Sequence, residues 1–295
     1  MRRIDEPAGP ISTRDARAAG IPRGRDRAAG VAHPHHGVLV FGEAATDLRA
    51  RCRELDPIWR DRWFFSHRTA AELWGAALPS PLPGALALPL DVAVRFPATP
   101  PRRPGIVGHR VDGVDLALVE ALPVVSAVDA WCELGALLDL DDLVAAGDSL
   151  LPGVHREGAT TRDELERAAE RHRRDHGAAQ VRRALPLLRE QVDSRPETLL
   201  RLALMRAGLP EPRVAWPIAT AGRVYHADLA YPERRLALEY EGDGHRTSRT
   251  TWRRDLGRRE DIEDGGWRVV RVTAADLAEG FARVIERVRR LLGAG

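Results

Sequence analysis

The 295-residue chain has no lysine and no asparagine, so all 45 of its basic side chains are arginine. That excludes Schiff-base and pyridoxal enzymes and the Walker-A phosphate loop, each of which needs a lysine ammonium. Cysteine is nearly absent too. Cys52 and Cys132 lie far apart and match no metal or redox spacing, which points to a reducing, cytoplasmic setting. A long apolar run is also missing. The most apolar stretch, Pro79 to Val94, is broken by five prolines or glycines and holds Asp91. It cannot supply the roughly 20 apolar helical residues of a membrane span. The leading MRRIDEPAG lacks the apolar segment of a secretory signal. What remains is an ordinary globular composition, 44% hydrophobic and 30% charged with net charge +2. The length suits two domains of about 100–200 residues.

Charge is unevenly placed. Residues 194–295 carry 19 arginines against 15 acids, and residues 1–193 carry 26 against 28. Arg246–Arg259 holds six arginines and one acid, a footprint that suits phosphates or, more commonly, a solvated helix face. At the other end, Ser12-Thr13 is placed to cap a helix through Ala19. Gly20-Ile21-Pro22 would turn into a second short helix, Arg23–Ala29, and Val31–Phe41 reads as extended with a turn at Gly37. A helix pair followed by a hairpin is the plan of a winged helix, whose second helix enters a DNA groove. From Thr46 to Leu151 short helices mix with proline-rich strands. Phe64-Phe65-Ser66-His67-Arg68-Thr69 predicts a strand end followed by a capped helix, and Val92–Phe96 and Gly105–Val111 predict strands. Ser126–Leu138 and Asp141–Ala146 predict helices. Thr161 and Glu164 form a capping box for a charged helix reaching Asp175. A more apolar helix then ends near Val192, and Asp193-Ser194-Arg195-Pro196 marks the expected domain boundary.

The C-terminal third carries the chemistry. Ser194-Arg195-Pro196-Glu197 opens a helix with Leu199, Leu200, Leu202 and Leu204, ended by Gly208. After a proline-rich loop come two strand-like runs, Arg223–Ala230 and Arg235–Glu241. Alternation puts Leu236, Leu238 and Tyr240 on one face, and Ala237, Glu239 and Glu241 on the other. If the hairpin loop takes Pro232–Arg235, then Asp228 and Glu239 fall opposite each other, with Cβ atoms about 4.5–5.5 Å apart. Two uncompensated carboxylates that close repel, and Mg2+ or Mn2+ is the simplest remedy, an oxygen site unsuited to zinc. Gly242-Asp243-Gly244-His245 follows, then the arginine-rich run 249–264, a buried strand Trp267–Thr273 and a last helix to about Leu292.

The stretch D-L-A-Y-P-E-R-R-L-A-L-E-Y-E-G-D-G-H (228–245), with R-R-D-L-G-R-R (253–259) and G-W-R-V-V-R-V-T (266–273), resembles very-short-patch-repair-like endonuclease domains. These belong to the PD-(D/E)xK restriction-endonuclease-like superfamily. The resemblance covers about residues 190–293. Upstream, F-S-H-R-T-A-A-E-L-W-G (65–75) is similar to the N-terminal half of the same proteins, which is likened to AbiEi-type antitoxins. The resemblance implies an α/β chain. A C-terminal restriction-endonuclease-like mixed sheet flanked by helices (194–295) would follow a winged-helix-like segment (1–45), an α+β antitoxin-like region (46–160) and a helical connector (161–193). It implies a metal-dependent endonuclease acting on nucleic acid, DNA in the first instance, with Mg2+ or Mn2+ as cofactor and a toxin as a possible partner.

Asp228 and Glu239 match the two acids of the motif and would hold the metal. The third position, usually lysine, is Glu241. Glu197 matches the helix glutamate, and His245 the histidine after the glycines. Glu241 or His245 would orient or deprotonate the attacking water. Arg246, Arg249, Arg253, Arg254, Arg258 and Arg259 would neutralise phosphates. Plainer roles stand beside these. Glu197 also suits a capping box with Ser194, Asp228 and Glu239 suit exposed positions flanking a turn, and His245 suits a surface loop. The alternative function is a non-catalytic DNA-binding regulator on a degenerate nuclease fold. Gly147-Asp148-Ser149-Leu150 imitates an esterase motif that needs an asparagine, so it is set aside. His172 and His176, at metal-ligand spacing among arginines, read as a solvated face, and His33, His35 and His36 as a loop before a strand.

Overall fold

The computed structural model describes residues 7–79, 88–154, 156–220, 222–241, 257–258 and 260–293. The chain is mixed α/β and divides into two compact units, Met1–Leu137 and Leu138–Gly295. Among the described residues no helix is long and apolar enough to cross a membrane.

The first unit begins with β1 (Ile11–Ser12) and α1 (Thr13–Ala18), where the Ser12 hydroxyl accepts from the Asp15 N–H as the cap requires. β2 (Val31–Ala32) and β3 (Val38–Phe41) complete a sheet in the order β1-β3-β2, its core built on Ala16, Ile21 and Leu39. The expected second helix is only a 3-10 turn, Arg25–Arg27. Pro22, Gly24 and Gly30 bound it, and the Arg17 guanidinium ties Asp26 and the Ile21 carbonyl back to α1. One such turn is too short to lie along a major groove.

A short α2 (Leu48–Arg53) leads into β4 (Phe64–Phe65) and α3 (His67–Leu73). The rest of the unit is β5 (Leu90–Val94), β6 (Ile106–Arg110), β7 (Leu116–Val119), β8 (Leu122–Val125) and α4 (Ala127–Leu134). The five strands form one sheet, β6-β5-β4-β8-β7. Ser66 stands at the cap of α3 but makes no cap bond; its hydroxyl lies 3.0 Å from His67 Nδ1. His67 adopts a left-handed backbone with φ 48°, and its N–H donates to Glu133 Oε2 at 2.6 Å. The His67 ring stacks on His109 with centroids 3.8 Å apart, and His109 Nε2 meets Asp91 Oδ1 at 2.7 Å. Burial, reinforced by His109, lowers the His67 pKa to about 4.

The second unit opens earlier than composition suggests. α5 (Leu140–Leu150), α6 (Arg162–Arg171) and α7 (Ala178–Ala184) belong to it, so the polar run 193–196 is not a linker. Those residues are spent on contacts. Asp193 Oδ1 accepts from the Val154 N–H, and Arg195 pairs with Asp142. α8 (Arg195–Arg206) is bound to α5 through a fully buried ion pair, Arg201 to Asp148 at 3.0 Å, with the Thr198 hydroxyl also on Asp148. The esterase-like motif thus supplies a structural anion. α6 keeps its capping box, and Leu165, Ala168, Ala169 and His172 form its buried stripe at helical spacing. His172 is therefore inside, bonded through Nδ1 to Asp175 at 2.7 Å, rather than on a solvated face. His176 is exposed.

Four strands follow: β9 (Arg213–Ala219), β10 (Val224–Tyr231), β11 (Leu236–Glu241) and β12 (Arg268–Thr273). The order is β12-β11-β10-β9, antiparallel except for the parallel pair β11/β12. Sequence reading takes β9 for a loop because of Pro217. A proline that cannot donate is tolerated on an edge strand, and β9 is that edge. One sheet face packs Leu229, Leu236, Leu238, Val270 and Val272 against Leu200 and Leu204 of α8. Phe281, Val284 and Val288, at and after the start of α10 (Ala282–Leu292), join that core; the five-residue α9 (Ala274–Ala278) precedes it. The other face packs Ile218, Ala227, Ala230 and Ala237 against Ile262, in the helical residues 260–264, and Trp267.

The His67 geometry carries a pH prediction. Its folded pKa lies below the ordinary 6.5, so between pH 6.5 and about 4 the unfolded chain binds the extra proton. Stability is then retained above pH 6.5 and falls as pH drops, by up to about 1.4 kcal/mol per pH unit. His67→Asn, an uncharged residue that tolerates the left-handed backbone, should flatten the dependence of urea midpoints between pH 7 and 5.

Candidate functional site

The hairpin between β10 and β11 sets the site. Pro232–Arg234 form a 3-10 turn and Arg235 closes it in the left-handed region, so the loop takes four residues. The ladder pairs Tyr231 with Leu236, Ala230 with Ala237 and Leu229 with Leu238. Carried one step further, this register sets Asp228 against Glu239. Asp228 interrupts regular pairing on its other side as well. β9 pairs with β10 at Ala227↔Trp216 and Leu229↔Val214, and the residue between, Ala215, has φ 47°. An alanine held there costs about 1–2 kcal/mol, strain stored beside the carboxylate.

The Asp228 Oδ2 accepts from the backbone N–H of Tyr240 at 2.7 Å, taking a bond that the sheet would otherwise give to a carbonyl. Asp228 is half-buried and its pKa is raised to about 8. Burial is the largest cause, followed by the Glu197 carboxylate and then by Glu239. The Tyr240 N–H and the Arg258 guanidinium oppose it. Three of the expected acids therefore share one electrostatic neighbourhood: Glu197 from α8, Asp228 from β10 and Glu239 from β11.

Each is also held locally. Glu197 is buried at the start of α8, where its Oε1 accepts from the Ser194 hydroxyl at 2.6 Å and its Oε2 from the Asp193 N–H at 3.1 Å. This departs from the expected capping box, since Ser194 donates to the glutamate instead of capping the helix. Burial raises the Glu197 pKa, and those two donors and Arg156 resist the shift. Glu239 Oε1 is paired with Arg258 at 2.9 Å. Glu241 is paired with Arg271 of β12, the strand running parallel beside it.

Arg258 thus points inward. Its Nη2 also donates to the His226 carbonyl at 2.8 Å, and its guanidinium lies 5.8 Å from the Tyr225 ring centroid, whose hydroxyl bonds Asp261. It meets Glu239 and the β10 backbone. The sequence signal for this was faint: an arginine in an arginine-rich run, with nothing local to select it. Arg271 was missed for a similar reason, since only parallel pairing sets it beside Glu241. His245, Arg246, Arg249, Arg253, Arg254 and Arg259 lie outside the described residues.

Among the described residues no three carboxylate, imidazole or thiolate groups converge closely enough to hold a metal ion. The donor chemistry is nevertheless of the kind a hard divalent cation takes, carboxylate oxygens alone. The raised pKa of Asp228 comes first from desolvation, and the Glu197 and Glu239 carboxylates add to it.

A half-buried, protonated Asp228 works against folding as the solution becomes alkaline. Its folded pKa of about 8 exceeds the ordinary 3.8, so its contribution is fully present below pH 3.8 and is lost as pH rises through 8. Asp228→Asn keeps the acceptor for Tyr240 and removes the charge. The variant should melt at higher temperature than the parent at pH 8 and lose that advantage towards pH 4, as followed by circular dichroism.

No family model matches the chain. Two uncharacterized proteins from two strains of Mycobacterium tuberculosis are each similar to it, 27% identical over 256 residues. That span is 86% of this chain and 90% of each relative, so the similarity runs across both compact units.

Proposed function

We propose that the chain is a metal-dependent nuclease that hydrolyses phosphodiester bonds of nucleic acid, DNA in the first instance. Its second unit would be a restriction-endonuclease-like domain and its first an antitoxin-like region. The mixed sheet flanked by helices suits that fold. The observation that carries the proposal is the half-buried carboxylate of Asp228, lodged where β10 and β11 part and raised in pKa first by desolvation and then by Glu197 and Glu239. Acids in one neighbourhood raise one another's pKa, and a bound cation would offset them. Asp228 and Glu239 are the residues that would hold Mg2+ or Mn2+. Bound there, the ion would supply Lewis acidity towards a phosphoryl oxygen and lower the pKa of water.

The protein's own groups divide the remaining work. The Tyr240 N–H orients Asp228, and the Ser194 hydroxyl and Asp193 N–H orient Glu197. Arg258 balances Glu239, and Arg271 balances Glu241. Glu241, the group in the position usually taken by lysine, would have to leave Arg271 before it could accept a proton from water.

These ion pairs favour a second reading, a non-catalytic DNA-binding regulator. Two of the acids already have internal cations, and no three donors converge among the described residues. Cleavage of labelled DNA and RNA in Mg2+ and Mn2+ separates the two. Asp228→Asn and Glu239→Gln should each lower cleavage at least about 100-fold while leaving the fold intact. Unchanged cleavage by both variants removes the site, and binding without cutting in either metal establishes the regulator.

A further inference from the structure

The carboxylates proposed to take a divalent ion already have a cation beside them. Arg258 pairs with Glu239 at 2.9 Å, and its guanidinium also lowers the pKa of Asp228 against burial and Glu197. One side chain thus acts on both acids that the proposed function gives to the metal. A positive charge in that place does what a bound ion would do, offsetting acids that raise one another's pKa. Arg271 is placed differently, against Glu241 two residues further along the strand.

The Arg258 contact is lightly made. Among the described residues it bonds through one nitrogen: Nη2 donates to Glu239 Oε1 and, at 2.8 Å, to the His226 carbonyl. The side chain is 35% exposed. Arg201 shows the other extreme. It is fully buried and uses both terminal nitrogens, Nη1 on Glu211 and Nη2 on Asp148 and the Leu187 carbonyl. An enclosed pair of that kind cannot lose one partner without leaving a buried charge. A partly exposed pair held by one nitrogen adds little net stability, and its arginine has a way into water.

For Glu239 Oε1 to meet a metal, Arg258 must let go. Even an ion taken by the other oxygen of Glu239 would sit beside the guanidinium, and like charges repel at that range. We infer that Arg258 is a resident counter-cation of the carboxylate site, which a divalent ion must displace in order to bind. The arginine then sets how much free metal the site needs. The inference rests on these carboxylates taking a metal as proposed, and it does not depend on cleavage.

The test is calorimetric titration of the full chain with Mg2+ at about pH 9, above the Asp228 pKa of about 8, so that protons compete little. Arg258→Gln keeps a donor for the His226 carbonyl and removes the charge. It should bind Mg2+ at least about tenfold more tightly than the parent. Arg258→Lys keeps the charge and should stay within about threefold of the parent. A fixed Mg2+ concentration should raise the melting temperature of Arg258→Gln more than that of the parent, a readout that also shows the variant folds. Adding Glu239→Gln to Arg258→Gln should abolish the gain, which locates the ion. Equal or weaker Mg2+ binding by Arg258→Gln overturns the inference. So does a gain that survives Glu239→Gln, or one that Arg258→Lys shows in full. Absence of Mg2+ binding in parent and variants alike overturns it together with the metal site. A parent that binds Mg2+ and cuts neither DNA nor RNA counts against the nuclease proposal alone.

Discussion

The second unit is organised around a carboxylate used as a piece of backbone. Asp228 fills the gap where β10 and β11 part, and accepts the Tyr240 N–H in place of a ladder carbonyl. The β10/β11 ladder ends at this residue and the β9/β10 ladder is interrupted there, with Ala215 strained opposite on β9. It also sinks an acid into the edge of the core, beside Glu197 of α8 and Glu239 of β11. The proton affinity of Asp228 follows from that position, because burial and two like charges outweigh one N–H and one guanidinium.

Arginine does the balancing throughout, as it must in a chain without lysine. Arg201 lies wholly inside, forked between Asp148, Glu211 and the Leu187 carbonyl. That pairing joins α5 to α8, and so fixes the helix that carries Glu197. Arg258 and Arg271 repeat the device at the rim, each against one acid of β11. The planar, permanently charged guanidinium suits Arg201 and Arg258, where several acceptors are met at once in fixed directions.

The first unit holds a separate polar cluster. His67, forced into a left-handed backbone, stacks on His109 between Asp91 and Glu133. Its positive φ and the absence of a Ser66 cap bond show that tertiary contacts, not local helix chemistry, shape the start of α3. Burial holds this imidazole neutral under ordinary conditions.

Local chemistry was enough for much of the chain. The cap at Ser12, the capping box at Thr161 and Glu164 and the two faces of β11 all follow from short-range spacing, and the structure has each of them. β9 was not legible, because an internal proline argues against a strand until its place at the sheet edge is known. Nor was the division at Leu137: Asp193–Pro196 resembles a linker in composition and becomes a set of contacts only once α5 packs on α8. His172 looked like a solvated ligand pair with His176 for want of the buried stripe beneath α6. The sequence alone determined which groups were available, an all-arginine cation set and acids two residues apart on a strand. Only the tertiary structure decided which cation each acid meets, because Arg258 and Arg271 reach Glu239 and Glu241 across 19 and 30 residues of chain. Contacts of that range depend on how strands pair and helices pack, and leave no periodic trace in the residues themselves.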